Sequence, residues 1–89
     1  GKLEEAVECF KETILRNISH EPATFELTYA LESLNKLSDG VLFYEKIIDN
    51  EPYSHLAWYY LGEIYDRMRK QAEALQAFEY ATLIKNDFS

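Results

Sequence analysis

The sequence predicts an all-α fold of five helices, and three observations lead to this prediction. Apolar residues recur at the i, i+3, i+4 and i+7 spacing of an amphipathic helix. No stretch alternates with the period of two that a half-buried strand requires. The apolar stripes themselves repeat after 34 positions, which indicates an internal repeat. The two clearest stripes are Leu27, Ala30, Leu31 and Leu34, and then Leu61, Ile64, Tyr65 and Met68.

The boundaries of the five helices follow from breaker and cap residues. We expect helices near residues 2–18, 23–37, 40–50, 55–69 and 72–85. The pair Asp39-Gly40 is expected to follow the end of the second helix, and the run 50–52 to end the third. Pro22 and Pro52 precede or start a helix, where the missing N–H does little harm. Ser54 is the expected N-cap of the fourth helix.

The second helix of each repeat carries a small residue followed one turn later by a large aromatic one. A shift of 34 positions superposes these pairs, which are Ala6 with Phe10, Gly40 with Tyr44, and Ala74 with Phe78. A small side chain lets two helices approach closely, and the aromatic ring then fills the space beside it. We therefore expect the small residues at tight helix contacts.

One segment carries a recognisable motif. Trp58, Leu61, Gly62 and Tyr65 spell W-x-x-L-G-x-x-Y, and Ala74, Phe78 and Ala81 follow at fixed distance. This pattern resembles the tetratricopeptide repeat family, whose unit is a helix-turn-helix of about 34 residues. The resemblance implies a right-handed α-solenoid of antiparallel helix pairs with about two and a half repeats.

On this resemblance the chain divides into three parts. Residues 1–20 would be the second helix of a truncated repeat, 21–54 a degenerate repeat and 55–88 a well-matched repeat. The middle repeat departs from the motif, with Thr24 for the tryptophan and Thr28 for the glycine. The residues with implied structural roles are Ala6, Phe10, Leu27, Gly40, Tyr44, Pro52, Trp58, Leu61, Gly62, Tyr65, Ala74, Phe78 and Ala81.

The chain enters this pattern in mid-repeat, so we expect a fragment of a longer protein. Its 89 residues with 47% hydrophobic content suit a single small domain. No apolar stretch reaches the roughly 20 residues that span a bilayer. The absence of a signal peptide does not decide the compartment of a fragment, and a cytoplasmic protein is the expectation.

The sequence predicts neither an enzyme nor a metal or cofactor site. His20 and His55 lie at helix connections without a second ligand at metal-binding spacing. The three glycines are scattered and form no phosphate-binding loop. Cys9 is the single cysteine, and we expect a small core residue on the inward side of the first helix.

The resemblance implies a binding groove lined by the first helix of each repeat. Its residues would be Pro22, Phe25, Tyr29 and Glu32 in the middle repeat and Leu56, Tyr59, Glu63 and Asp66 in the last. These positions carry none of the Lys, Asn and Arg residues with which one subgroup of the family binds C-terminal carboxylates. An aromatic and acidic groove favours a protein or peptide partner with basic and apolar residues. The alternative is that Tyr29 and Tyr59 only cover the seams between repeats.

Charge narrows the class of partner. The net charge of −7 disfavours nucleic acid and anionic membrane surfaces, because both are negatively charged. Arg67, Arg69 and Lys70 form only a short basic cluster at a helix end.

Two alternatives to peptide binding stay open. The chain could be a structural spacer or a self-association segment of a longer solenoid, with contact through open solenoid ends, or it could be a regulatory segment of a larger protein. For self-association we expect an apolar open face on the last helix. That face would carry Ala77, Tyr80, Ala81 and Ile84.

Overall fold

The structure, a computed structural model, describes residues 1–88. They form five helices joined by short connections. The helices are α1 (Lys2–Arg16), α2 (Glu21–Ser33), α3 (Leu37–Asn50), α4 (His55–Arg67) and α5 (Gln71–Phe88). No strand occurs within these 88 residues, and the predicted all-α class is confirmed.

The expected end of the second helix is wrong. Asp39 and Gly40 lie inside α3, which begins at Leu37, and α2 ends at Ser33. The turn is made earlier by Asn35, which takes the left-handed conformation with φ 58°. Asparagine adopts this conformation more readily than most non-glycine residues, and the chain needs no glycine to stop the helix.

The other boundaries differ from expectation by smaller amounts. α1 ends at Arg16 because Asn17 is extended, with φ −153°. α4 ends at Arg67, two residues before the expected end, and α5 continues to Phe88. At the start of α4 the Ser54 cap is confirmed, since its Oγ accepts a hydrogen bond from the Ala57 amide at 3.3 Å.

The backbone repeats after 34 residues. α2 and α4 each contain 13 residues, and their bounds are offset by that distance. Both end in a Schellman turn whose left-handed residue is Asn35 in one case and Arg69 (φ 63°) in the other. The Lys36 amide donates to the Leu31 carbonyl at 2.7 Å, and in the same way Lys70 donates to Tyr65 at 2.9 Å.

The chain divides into two compact units, residues 1–40 and the residues from Val41 onwards. In the first unit, α1 packs against α2, and a four-residue connection joins them. Its buried apolar side chains include Val7 and Ile14 of α1 and Leu27 and Leu31 of α2.

The second unit centres on the pair α4 and α5. Residues 68–70 connect these helices. Trp58, near the start of α4, contacts Tyr80, and Gly62, further along α4, faces the earlier Phe78, so the pair is antiparallel. Tyr44 of α3 is fully buried, with its ring 6.0 Å from that of Tyr60. The other buried apolar residues are Ala57, Leu61, Ile64, Ala74, Ala77 and Ala81.

Candidate interaction surfaces

A close helix contact in the second unit joins Gly62 of α4 to Phe78 of α5. A β-carbon added at Gly62 would lie 2.7 Å from the Phe78 ring, well inside van der Waals contact. Gly62 lies in an ordinary helical conformation, so backbone freedom does not explain the glycine. Its lack of a side chain does, because it leaves room for the Phe78 ring. The buried small residues of α5 are Ala74, Ala77 and Ala81.

The indole of Trp58 makes two contacts, a hydrogen bond and a ring contact. Its Nε1 donates a hydrogen bond to the Pro52 carbonyl at 3.0 Å, and its ring centroid lies 4.9 Å from that of Tyr80. The hydrogen bond ties the side chain to the connection before α4. Trp58 is half-buried, so part of the ring still faces solvent.

The remaining residues with implied structural roles differ in burial. Leu27, Gly40, Tyr44 and Leu61 are buried, whereas Pro52 is exposed. Four others are half-buried, namely Ala6, Phe10, Tyr65 and Phe78.

The first predicted groove face lies on α2. Phe25, Tyr29 and Glu32 follow one another at i, i+4 and i+7 and lie on one side of the helix. All three are exposed, Tyr29 to 68%. Pro22 is exposed in the first turn of the same helix. We call Phe25, Tyr29 and Glu32 the α2 face.

The second predicted face lies on α4. Leu56, Tyr59, Glu63 and Asp66 share one side of that helix, and we call them the α4 face. Leu56 and Glu63 are half-buried, and Asp66 is exposed. Tyr59 is 44% exposed, and its ring contacts Phe78 at a centroid distance of 5.5 Å. Tyr59 thus packs on α5 and presents the rest of its ring to solvent.

The sequence analysis missed a pocket on another side of the second unit. It has a volume of about 500 Å³ and is lined by residues from α3, α4 and α5. We call it the three-helix pocket. Its lining residues are Glu45, Ile48 and Asp49, then Trp58, Leu61 and Tyr65, then Glu73, Gln76, Ala77 and Tyr80.

The three-helix pocket is acidic as well as aromatic. Burial raises the pKa of Tyr65 above its ordinary value, and the negative charges of Glu45 and Glu73 raise it further. The motif residues Trp58 and Tyr65 gave a signal for this site, but the sequence analysis assigned them to packing alone.

The outer face of α5 differs from the expected one. Ala77 and Ala81 are buried, because they face the inside of the second unit. The solvent-exposed apolar groove, with a volume of about 410 Å³, is formed by residues on another side of the helix. They are Leu75, Phe78, Glu79, Thr82 and Leu83, and we call this set the outer α5 groove.

The cysteine and the two histidines of the chain lie on or beside three different helices. Cys9 is exposed, so the expectation of a core cysteine is wrong; the buried residues of α1 are Val7 and Ile14. His20 precedes α2, and His55 begins α4. No group of His, Cys, Asp or Glu within residues 1–88 could hold a metal ion. In the same residues no helix is long and apolar enough to cross a membrane.

Comparison with protein families gives a match to part of the chain. Residues 43–76 match the model of the tetratricopeptide repeat family. The match covers the end of α3, all of α4 and the start of α5, and therefore contains Trp58, Leu61, Gly62, Tyr65 and Ala74. A search of curated proteins gives no match.

Proposed function

We propose, from the premise that residues 43–76 form a tetratricopeptide repeat, that this chain binds partner peptides, and that the α2 face and the α4 face are each a contact surface for them. Tetratricopeptide repeats are protein-interaction modules in general and are typically not enzymatic. The peptide proposed here carries basic and apolar residues.

Exposed aromatic side chains are the observation that carries this proposal. Phe25, Tyr29 and Tyr59 expose large rings on helices, where the backbone holds them in place. Such rings bury much area on binding and lose little conformational entropy, and aromatic residues are therefore common among binding hot spots. Tyr59 is the most restrained of the three because its ring packs on Phe78.

Carboxylates beside the rings give the proposed partner its charge. Glu32 belongs to the α2 face, and Glu63 and Asp66 belong to the α4 face. These groups attract Lys and Arg over a distance set by ionic strength, so affinity for a basic peptide falls as salt rises. The overall charge of −7 acts in the same direction.

An array of short peptides of equal length, graded from acidic to basic, tests the proposal. We expect the basic, partly apolar peptides to bind best. Phe25→Ala combined with Tyr29→Ala should weaken that binding by about tenfold or more. Tyr53→Ala is the matched control, because Tyr53 is 69% exposed against 68% for Tyr29 but lies in the connection before α4. Preference for acidic peptides or for free C-terminal carboxylates would contradict the proposal.

Self-association is a second candidate function, and the outer α5 groove is the observation that favours it. Leu75 and Leu83 are both exposed beside the half-buried Phe78. A contiguous apolar groove of this kind marks a protein contact more often than scattered exposed residues do. A second copy of the chain would cover the groove on α5.

Sedimentation velocity over a range of concentrations separates the two candidates. If α5 mediates self-association, Leu75→Glu should abolish the concentration dependence. Leu42→Glu should preserve it, because Leu42 is 60% exposed, close to the 63% of Leu75, but lies on α3. A monomer at all concentrations would eliminate self-association and leave the peptide-binding proposal standing.

A further inference from the structure

The three-helix pocket combines aromatic rings and carboxylates around one cavity. Trp58, Tyr65 and Tyr80 supply the rings. Glu45 and Asp49 of α3 and Glu73 of α5 supply the carboxylates, which therefore come from two different helices. The residues that line the pocket include no Lys, Arg or His.

The charged residues that line the pocket all carry carboxylates. Glu45, Asp49 and Glu73 form no salt bridge with any residue in the described range 1–88. Two of these carboxylates act on the Tyr65 phenol and help to raise its pKa. A cation that entered the pocket would therefore meet attraction from several groups and repulsion from none of the lining residues.

The aromatic part of the pocket is held in place before any ligand arrives. The hydrogen bond from Trp58 Nε1 to the Pro52 carbonyl fixes the indole, and the Tyr80 ring packs at 44° to it. Little entropy is then lost when a ligand contacts these rings. Aromatic faces attract cations, and tryptophan does so most strongly.

We propose that the three-helix pocket binds an arginine side chain of a partner protein. A guanidinium group is planar, so it stacks on an aromatic ring and at the same time forms paired hydrogen bonds with a carboxylate. An ammonium group does not combine these two contacts, because it is a compact point charge. The volume of about 500 Å³ also admits the apolar stem of arginine and part of a neighbouring residue.

This pocket is a different site from the α2 and α4 faces. None of its lining residues belongs to either face. The inference therefore does not depend on the proposed function, and the two can fail separately.

Trp58 makes the test direct, because it is the only tryptophan in the sequence and it lines the pocket. The probe is a blocked five-residue peptide with a central arginine between two leucines, titrated against the whole chain while tryptophan emission is recorded. Two matched peptides replace the arginine by citrulline, which has the same shape without charge, or by lysine. We expect saturable quenching or shift with the arginine peptide, at least tenfold weaker binding with lysine, and none with citrulline.

Charge-removing variants locate the binding. Glu45→Gln combined with Glu73→Gln should weaken binding of the arginine peptide by about tenfold or more. Glu79→Gln is the control, since Glu79 is exposed on the same helix as Glu73 and does not line the pocket. Tyr29→Ala, which alters the α2 face, should leave this binding unchanged.

Three results would overturn the inference. Equal binding of the arginine and citrulline peptides would show that charge plays no part. Equal binding of arginine and lysine would show that a planar group is not recognised. An equal loss of affinity in Glu79→Gln and in the pocket variant would show that general acidity, and not this pocket, attracts the peptide.

Discussion

α2 and α4 have one backbone plan and two different sets of side chains. Both helices contain 13 residues and end in the same Schellman turn. Yet the positions of Trp58 and Gly62 in α4 are occupied by Thr24 and Thr28 in α2. The two helices therefore share their length and their C-terminal turn, while the side chains at equivalent positions differ.

The two threonines differ in how their hydroxyls are satisfied. Thr28 Oγ1 donates to the Thr24 carbonyl at 3.0 Å, one turn back along α2. Thr24 Oγ1 is buried and has no hydrogen-bond partner within residues 1–88. The unsatisfied hydroxyl of Thr24 lowers the stability of α2. Trp58, at the equivalent position of α4, brings no such loss because its indole N–H donates to the Pro52 carbonyl.

The largest expected effect on stability comes from replacing Gly62 of α4 by threonine, the residue at the equivalent position 28 of α2. Gly62→Thr should destabilise the second unit by about 2–3 kcal/mol, because the new side chain overlaps the Phe78 ring. Chemical denaturation measures the change in the free energy of unfolding.

Combining this change with Phe78→Ala tests its cause. The second change removes the ring, so the two costs should not add. Additive costs in the double variant would show that the overlap with Phe78 is not the reason.

Removing the unsatisfied hydroxyl of α2 should have a smaller effect of opposite sign. Thr24→Val keeps the shape of the side chain, and we expect the free energy of unfolding to rise by about 1 kcal/mol. Thr28→Val is the matched control, since it removes a hydroxyl that has a hydrogen bond. If both variants gave the same change in thermal midpoint, the partner of the hydroxyl would not matter.

The two Schellman turns differ in the residue that takes the left-handed conformation. Arg69→Gly should stabilise the turn after α4 by about 0.5–1 kcal/mol, because glycine adopts φ 63° without steric cost. Asn35→Gly should gain less, since asparagine tolerates this conformation better than arginine. Thermal unfolding of both variants ranks the two turns, and a larger gain at Asn35 would reverse this interpretation.

The smallest effect is expected from the titration of Tyr65. Its raised pKa means that the folded state disfavours the phenolate, so stability is unaffected below pH 10 and falls as pH rises through the folded-state pKa. Ultraviolet absorbance follows phenolate formation as pH rises, and Tyr65→Phe should remove one late step from that titration. Glu73→Gln should move this step to lower pH, and an unchanged step would remove the carboxylate from the explanation.

The sequence predicted the helices better than their ends. The spacing of Leu27, Leu31, Leu61 and Ile64 indicated the buried sides of α2 and α4, because helical period is a local property. The end of α2 was misplaced because Asn35 bends the chain without the glycine that usually marks such a turn. The left-handed conformation of Asn35 is stabilised by two backbone hydrogen bonds, from Asn35 to Glu32 and from Lys36 to Leu31. The sequence alone does not show that they form.

The surfaces were predicted less well, since they depend on where three helices lie in space. The resemblance to the repeat family placed Phe25 and Tyr29 on the first helix of the middle repeat, and both side chains are exposed on α2. The three-helix pocket could not, because Glu45, Trp58 and Glu73 are distant in the chain and come together only in the folded second unit. The same limit explains the misplaced face of α5, where only the packing of Ala77 and Ala81 decides which side is covered.

The exposed thiol of Cys9 allows a dye to be attached and a distance within the chain to be measured. The sequence contains one cysteine and one tryptophan, and they fall in different compact units. With excitation at wavelengths that tryptophan absorbs and tyrosine does not, an acceptor dye attached to Cys9 would receive energy from Trp58, and no residue would need to be changed. The efficiency of that energy transfer measures the distance between Trp58 and the dye on Cys9.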